Sequence, residues 1–147
     1  MAYRGKYKVK KPEKYSGDFN NVIYRSLWER QFFRWCEDND DVIKWSSESV
    51  IIPYRCKTDN KMHRYFMDVK VKFKNGKTYL IEIKPESQTQ PPKQPKRKSK
   101  KYLKEVMTYV KNTSKWEQAE KYCFVRGWEF KIFTEKTLKS LGIRLLT

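Results

Sequence analysis

No long apolar run and no basic amphipathic helix stands out in this chain, so a membrane partner is not expected. The opening Met1-Ala2-Tyr3-Arg4-Gly5-Lys6 is positively charged, but no apolar stretch follows it, which argues against a secretory signal. Cysteine is sparse. Cys36, Cys56 and Cys123 are odd in number, widely spaced and without a C-x-x-C pair. A disulfide framework and a zinc site are therefore not expected, and free thiols in a reducing cytoplasm are. Histidine occurs once, as His63, and is read as a surface residue on a strand, since one imidazole makes no zinc site without cysteines nearby. Acidic side chains are outnumbered: 17 Asp plus Glu face 34 Lys plus Arg, a formal charge of +17. An imbalance of that size points to a polyanionic partner, nucleic acid first. Charge alone also suits a ribosomal-type RNA binder, but no RNA-recognition motif is present. There is no internal repeat.

Aromatics are abundant, with five Trp, ten Tyr and eight Phe in 147 residues, enough to build the core of one domain spanning 1–147. The tryptophans fall at core-like positions and read as packing rather than base-stacking residues. Residues 1–20 are basic and poor in aliphatics. They read as an extended arm, ordered where Tyr3, Tyr7 or Tyr15 docks or where DNA or another protein binds it. Residues 21–38 repeat Leu27, Trp28, Phe32, Trp35 and Cys36 at helical steps. Residues 42–54 are strand-like, with Pro53 ending the second run or marking an edge, and Thr58-Asp59-Asn60 is a turn. A hairpin is expected from about 62 to 84. Residues 85–101 hold four prolines and the cations Lys93, Lys96, Arg97, Lys98, Lys100 and Lys101, the composition of a mobile loop able to hold phosphates by counterion release. A helix with Leu103, Val106, Met107 and Val110 follows and is expected to break at Asn112-Thr113-Ser114. Ser114-x-x-Glu117 then resembles a fresh capping box, opening a second helix that ends at Gly127. Trp128–Phe133 alternates as a strand, and Thr134 can cap a last helix through about Leu141. The order predicts an α/β domain with a central mixed sheet flanked by helices, its final strand added in parallel after a helical crossover.

The hairpin carries the chemistry. Val69, Val71 and Phe73 alternate with lysines, and Tyr79, Ile81 and Ile83 alternate with Leu80, Glu82 and Lys84. A two-residue Asn75-Gly76 loop would put Lys70 and Lys72 on the apolar face. A three-residue loop, Lys74-Asn75-Gly76, pairs Phe73 with Lys77, leaves Gly76 left-handed and gathers Val69, Val71, Phe73, Tyr79, Ile81 and Ile83 on one face. Asp68 then lies opposite Glu82, with Lys84 one step along. Two carboxylates so close repel unless a cation separates them. Two acids and a lysine at this spacing can hold Mg²⁺ and activate a water, whose natural target in so basic a chain is a phosphodiester. A solvated sheet face with interspersed charges accounts for the same residues. Glu29 also has two readings: in Ser26-x-x-Glu29 its carboxylate closes a capping box, or it supplies a third acid to the site.

Asp68 followed fourteen residues later by Glu82-Ile83-Lys84 resembles the PD-(D/E)XK nuclease signature, with Met67 where the family name has proline. The likeness extends further. Tyr24-Arg25-Ser26-Leu27-Trp28-Glu29-Arg30, Ile51-Ile52-Pro53-Tyr54, Arg64-Tyr65-Phe66-Met67-Asp68, Ile81-Glu82-Ile83-Lys84-Pro85, Gln90-Pro91-Pro92, Glu120-Lys121-Tyr122-Cys123 and Phe133-Thr134-Glu135-Lys136-Thr137-Leu138 resemble the head-completion nucleases of large contractile-tailed phages. Those are similar to the catalytic domain of TnsA-type transposon endonucleases. The resemblance implies a restriction-endonuclease-like fold and a Mg²⁺-dependent DNA endonuclease, with Mn²⁺ able to substitute. Asp68, Glu82, Glu29 and the carbonyl of Ile83 would be ligands, Lys84 would be the water-activating lysine, and Lys70 would hold a neighbouring phosphate. It also implies double-stranded DNA as partner, with the portal, neck or other head-completion proteins nearby, in the virion or the infected host's cytoplasm. A non-catalytic DNA-binding head protein and a branched-DNA resolvase of the same fold remain alternatives. The resolvase would require a symmetric dimer, and nothing in the residues sets an oligomeric state.

Overall fold

A four-stranded sheet forms the middle layer of the computed structural model, which describes residues 3–146. Its strands are β3 (Val42–Ser47), β6 (Val69–Phe73), β7 (Thr78–Ile83) and β8 (Glu129–Phe133), in that spatial order. β3–β6 and β6–β7 are antiparallel, and β8 joins β7 in parallel after a helical crossover. The sheet is mixed, as the element order predicts. The remaining strands form two small ribbons: β1 (Gly5–Tyr7) with β2 (Val22–Tyr24), and β4 (Ile51–Cys56) with β5 (Lys61–Phe66).

The alternation along the strands sorts two cores. Val69, Val71, Ile81 and Ile83 face α1 (Leu27–Asp38) through Phe32, Phe33 and Cys36, and α3 (Glu135–Ser140) through Leu138. Leu80 and Phe130 face the other way. They are covered by Trp116, Ala119 and Cys123 of α2 (Lys100–Arg126) and by Ile52, Tyr54 and Tyr65 of the β4–β5 ribbon. Among the described residues no helix is long and apolar enough to cross a membrane.

The segment before α1 is built into the fold. Tyr7 and Tyr15 dock in the first core, while Tyr3 stays exposed. The buried Glu37 accepts a hydrogen bond from the Tyr7 hydroxyl at 2.6 Å and from the backbone N–H groups of Lys10 and Lys11, both at 2.8 Å. Those bonds make the burial of its charge tolerable. The Lys14 ammonium donates to the carbonyls of Cys36, Glu37 and Asn39 at 2.8, 3.0 and 2.9 Å, closing the negative end of α1. The Lys11 ammonium likewise donates to the Glu37 carbonyl at 3.0 Å, so two cations of the arm are engaged by protein carbonyls.

Three expectations change. Residues 22–24 form β2, and α1 starts at Leu27 rather than near 21 because Ser26 caps it, its hydroxyl accepting the Glu29 N–H at 3.2 Å. The hairpin expected from 62 to 84 is two structures: β5 pairs with β4, and only β6 and β7 form the hairpin around Gly76. The break expected at 112–114 is absent, and α2 runs unbroken over 27 residues. Ser114 and Thr113 bond back to the Val110 carbonyl at 2.8 and 3.0 Å, satisfying their hydroxyls inside the helix instead of capping a new one.

Candidate active site

The three-residue turn is the element that assembles the acids. Phe73 N–H donates to the Lys77 carbonyl at 2.9 Å, Gly76 N–H donates to Phe73 at 3.0 Å, and Gly76 sits at φ +85°. The ladder pairs Val69 with Ile81, Lys70 with Leu80 and Val71 with Tyr79. One step further, the same register sets Asp68 against Glu82. The Ile83 N–H donates to Asp68 Oδ2 at 2.8 Å, which fixes the aspartate just outside the ladder. Glu82 is buried at 6 % exposure, and Asp68 keeps partial access to solvent.

Glu29 stands in the first turn of α1, where its charge and those of Asp68 and Glu82 act on one another, but the three carboxylates do not gather within 4.8 Å of one another. Its backbone closes the cap with Ser26, and its Oε2 accepts the Ser26 hydroxyl at 3.3 Å. Burial pushes its carboxyl up to about 7. The Arg25 N–H and the Ser26 hydroxyl oppose that shift, and the charges of Glu48 and Glu82 add to it. Burial, then Glu82, then Glu29 also raise Asp68 well above the usual carboxylate range, against the Ile83 N–H. The three carboxylates thus act on one another electrostatically, and Glu29 belongs to the turn that Ser26 caps.

Two lysines accompany them. Lys84 Nζ stands 3.7 Å from Glu82 Oε1 on the same strand face. Lys115, from the middle of α2, was not singled out by the sequence. Its ammonium lies 5.2 Å from the centre of the Tyr65 ring. Burial is the main cause of its lowered pKa; Lys111 and Lys84 lower it further, while Glu82 and Asp68 pull it back up. Tyr65 was also missed. Its hydroxyl donates to Glu82 Oε2 at 2.6 Å, and burial beside that acid raises the phenol. A signal existed for Tyr65 in its place three residues before Asp68 on the approaching strand. For Lys115 the expected helix break hid the signal, because only an unbroken helix continues the Lys111–Lys115 face.

Glu48 is a fourth nearby acid. It is held by Arg25, with Nε to Oε1 at 2.6 Å and Nη2 to Oε2 at 3.3 Å. Its backbone lies at φ +51°, and its N–H bonds to the carbonyls of Met67 and Asp68 at 3.1 and 3.3 Å, bracing the Asp68 loop. Lys70 shares the acids' face of the sheet, but its ammonium sits 4.4 Å from the centre of the Trp128 ring. Lys93, Lys96, Arg97 and Lys98 are exposed in the loop before α2, whereas Lys100 and Lys101 belong to the helix, which Ser99 caps by accepting the Tyr102 N–H at 3.1 Å. The loop and α2 together border a groove of about 550 Å³ lined by Gln88, Gln90, Pro92, Lys101 and Lys104.

A family model described as the TnsA-like endonuclease N terminal matches residues 39–135. The chain is also 42% identical to the head completion nuclease of Enterobacteria phage T4 over 148 residues, covering 98% of this chain and 99% of that one. The chain belongs to the TnsA-like endonuclease family. Asp68, Glu82, Lys84, Tyr65 and Lys115 fall inside the segment matched to that endonuclease family, and Glu29 lies before it.

Proposed function

We propose that this protein is a Mg²⁺-dependent DNA endonuclease that acts in phage head completion, processing or binding the ends of packaged DNA. The observation that carries the reading is the register that sets Asp68 against Glu82 beside Lys84, with Glu29 near enough for its charge to act on theirs. Three carboxylates in a part-buried site, two of them with raised pKa, are the oxygen-rich donor set that a hard divalent cation neutralises. Asp68, Glu82 and Glu29 would hold the ion, with the Ile83 carbonyl as a further oxygen. When bound, it supplies Lewis-acid polarisation of a phosphodiester and charge neutralisation, and Mn²⁺ can take its place.

The chain's own residues do the rest. Tyr65 donates to Glu82 Oε2 and leaves its other oxygen turned toward Lys84, which fixes the carboxylate's rotation. Lys84 orients the attacking water and helps to deprotonate it, then offsets negative charge on the phosphorus centre. Lys115, with its ammonium destabilised by burial, gains its charge partner when a phosphate enters beside it. The loop cations Lys93, Lys96, Arg97 and Lys98, with Lys100 and Lys101 on the acid-free first turn of α2, hold the backbone of double-stranded DNA outside the site. Lys70, on the acids' face of the sheet beside Trp128, would hold a neighbouring phosphate. None of these contacts reads bases, so cleavage by structure or at ends is expected, with little sequence preference. Proteins of the portal or neck are the partners that such a role supplies, in the virion or the infected cell.

The test is cleavage of linear, circular and branched double-stranded DNA with Mg²⁺ or Mn²⁺, beside EDTA and Glu82→Ala. Metal-dependent cutting that Glu82→Ala abolishes is the expected result. If the wild type cuts nothing with either metal but still binds DNA, the protein serves head completion as a DNA-binding structural component instead.

A further inference from the structure

A second group of ligand-type side chains lies at the tip of the β4–β5 ribbon. Cys56 ends β4, Asp59 is in the turn and His63 is in the middle of β5. The Cys56 sulfur, an Asp59 carboxylate oxygen and a His63 ring nitrogen lie within 4.8 Å of one another. The register explains the meeting. Tyr54 pairs with His63 and Cys56 with Lys61, so Cys56 and His63 are diagonal neighbours on the ribbon's inward face. Asn60, at φ +56°, folds the turn back over them. Asp59 Oδ1 accepts the Lys61 N–H at 2.9 Å, which leaves Oδ2 to meet His63 Nε2 at 2.7 Å. The imidazole stacks on Tyr54, ring centres 5.7 Å apart at 30°, so its plane is set by packing.

The absence of C-x-x-C pairs and the lone histidine spoke against zinc in the sequence. The fold supplies what spacing did not, by closing the ribbon so that a buried cysteine reaches that histidine. We propose that Cys56, Asp59 and His63 bind one Zn²⁺, with the fourth position left to water. A thiolate, an imidazole and a carboxylate are the donors of a borderline-soft cation and a poor set for Mg²⁺, which keeps this site chemically distinct from the oxygen-only site of Glu29, Asp68 and Glu82. Binding releases the Cys56 thiol proton and replaces the His63–Asp59 hydrogen bond with two bonds to the ion. Thiolate and carboxylate together cancel the 2+ charge. Thr58 Oγ1, 3.0 Å from the Cys56 sulfur, is placed to donate to the thiolate. Of the lysines beside the turn, Lys57 is paired with Glu117 at 3.3 Å. The ion would tie the two strands of the ribbon together at its turn, and β5 carries Tyr65 to Glu82, so its role is to stiffen that strand.

The experiment uses the full-length protein with a non-thiol reductant and Co²⁺ as the spectroscopic stand-in. One equivalent should produce a thiolate-to-cobalt charge-transfer band and the visible bands of four-coordinate cobalt, both erased by Zn²⁺. Cys56→Ser should lack the charge-transfer band. Loss of an outer-shell partner alone costs about 10–100-fold in metal affinity, so His63→Asn should weaken binding at least that much. His63 is part-exposed, so that variant should fold even if Cys56→Ser does not. Zn²⁺ should raise the melting temperature of the wild type and of Glu82→Gln alike, and leave His63→Asn unchanged. No charge-transfer band in the wild type, the same spectrum in folded Cys56→Ser, or zinc stabilisation that survives His63→Asn but is lost in Glu82→Gln would overturn the proposal.

Discussion

The two roles weighed for Glu29, helix start and proposed metal ligand, can be separated. Its carboxyl, raised to about 7, binds its proton more tightly in the folded chain than in the unfolded one. The stability this contributes is therefore fully present below the ordinary glutamate value of 4.5 and is lost as pH rises through about 7. A shift of this size corresponds to roughly 3 kcal/mol at most. Glu29→Gln can still cap α1 but carries no charge to titrate. In EDTA, the variant's melting temperature should gain on the wild type's between pH 4.5 and 7. Mg²⁺ should close the gap, and DNA cleavage should be largely lost. A gap that stays constant with pH would assign Glu29 to the cap alone. Tyr65→Phe is the companion change: it leaves Glu82 Oε2 without its donor, which should lower kcat about 10-fold or more while the apolar ring keeps the strand packed.

At the scale of elements, alternation was the legible signal. The hairpin register followed from requiring Val69, Val71, Phe73, Tyr79, Ile81 and Ile83 to share one face, and that requirement alone placed Asp68 opposite Glu82. The helical crossover and the capping residues recovered the parallel final strand, the Gly127 stop at φ +71° and the Thr134 cap. Legibility failed where a local signal had two physical outlets. Ser114 and Thr113 can cap a helix or bond back within one, and burial of Trp116 and Ala119 against the ribbon favours the continuous helix. That outcome brings Lys115 to the acids. The meeting of Cys56 with His63 was illegible for another reason: it depends on which strand β5 pairs with, and β5 left the expected hairpin to join β4. Gly76 gives the element-level prediction. A Cβ there meets nothing within 4 Å, so Gly76→Ala costs only the left-handed backbone at φ +85°. About 1 kcal/mol, or about 2–4 °C in Tm, should be lost. Cleavage should persist, since the apolar face still dictates the register. A variant that is stable yet inactive would mean the turn itself, and not the face, aligns the acids.

For the whole molecule, the charge of +17 is distributed by task. Lys11 and Lys14 close the end of α1, Lys70 rests on Trp128, and Lys84 and Lys115 stand at the acids, while the run from Lys93 to Lys101 faces solvent with no acidic side chain among its residues. That exposed run is where binding through phosphates and counterion release should concentrate. Each phosphate contact contributes about 0.9 to the slope of log affinity against log salt on B-DNA. Replacing Lys96, Arg97 and Lys98 together with alanine should therefore flatten the slope by roughly 2–3 and weaken binding on every sequence alike. The variant should keep its melting temperature, because those side chains are exposed and make no ion pair among the described residues. Lys84→Ala should behave oppositely, with nearly normal DNA binding and salt slope but most cleavage lost. Fluorescence anisotropy over a salt series, read beside single-turnover cleavage, separates the two. An unchanged slope in the triple variant would show that the loop does not hold phosphates. A Lys84→Ala protein that binds as weakly as the triple variant would move Lys84 from the chemistry of the site to its grip on DNA.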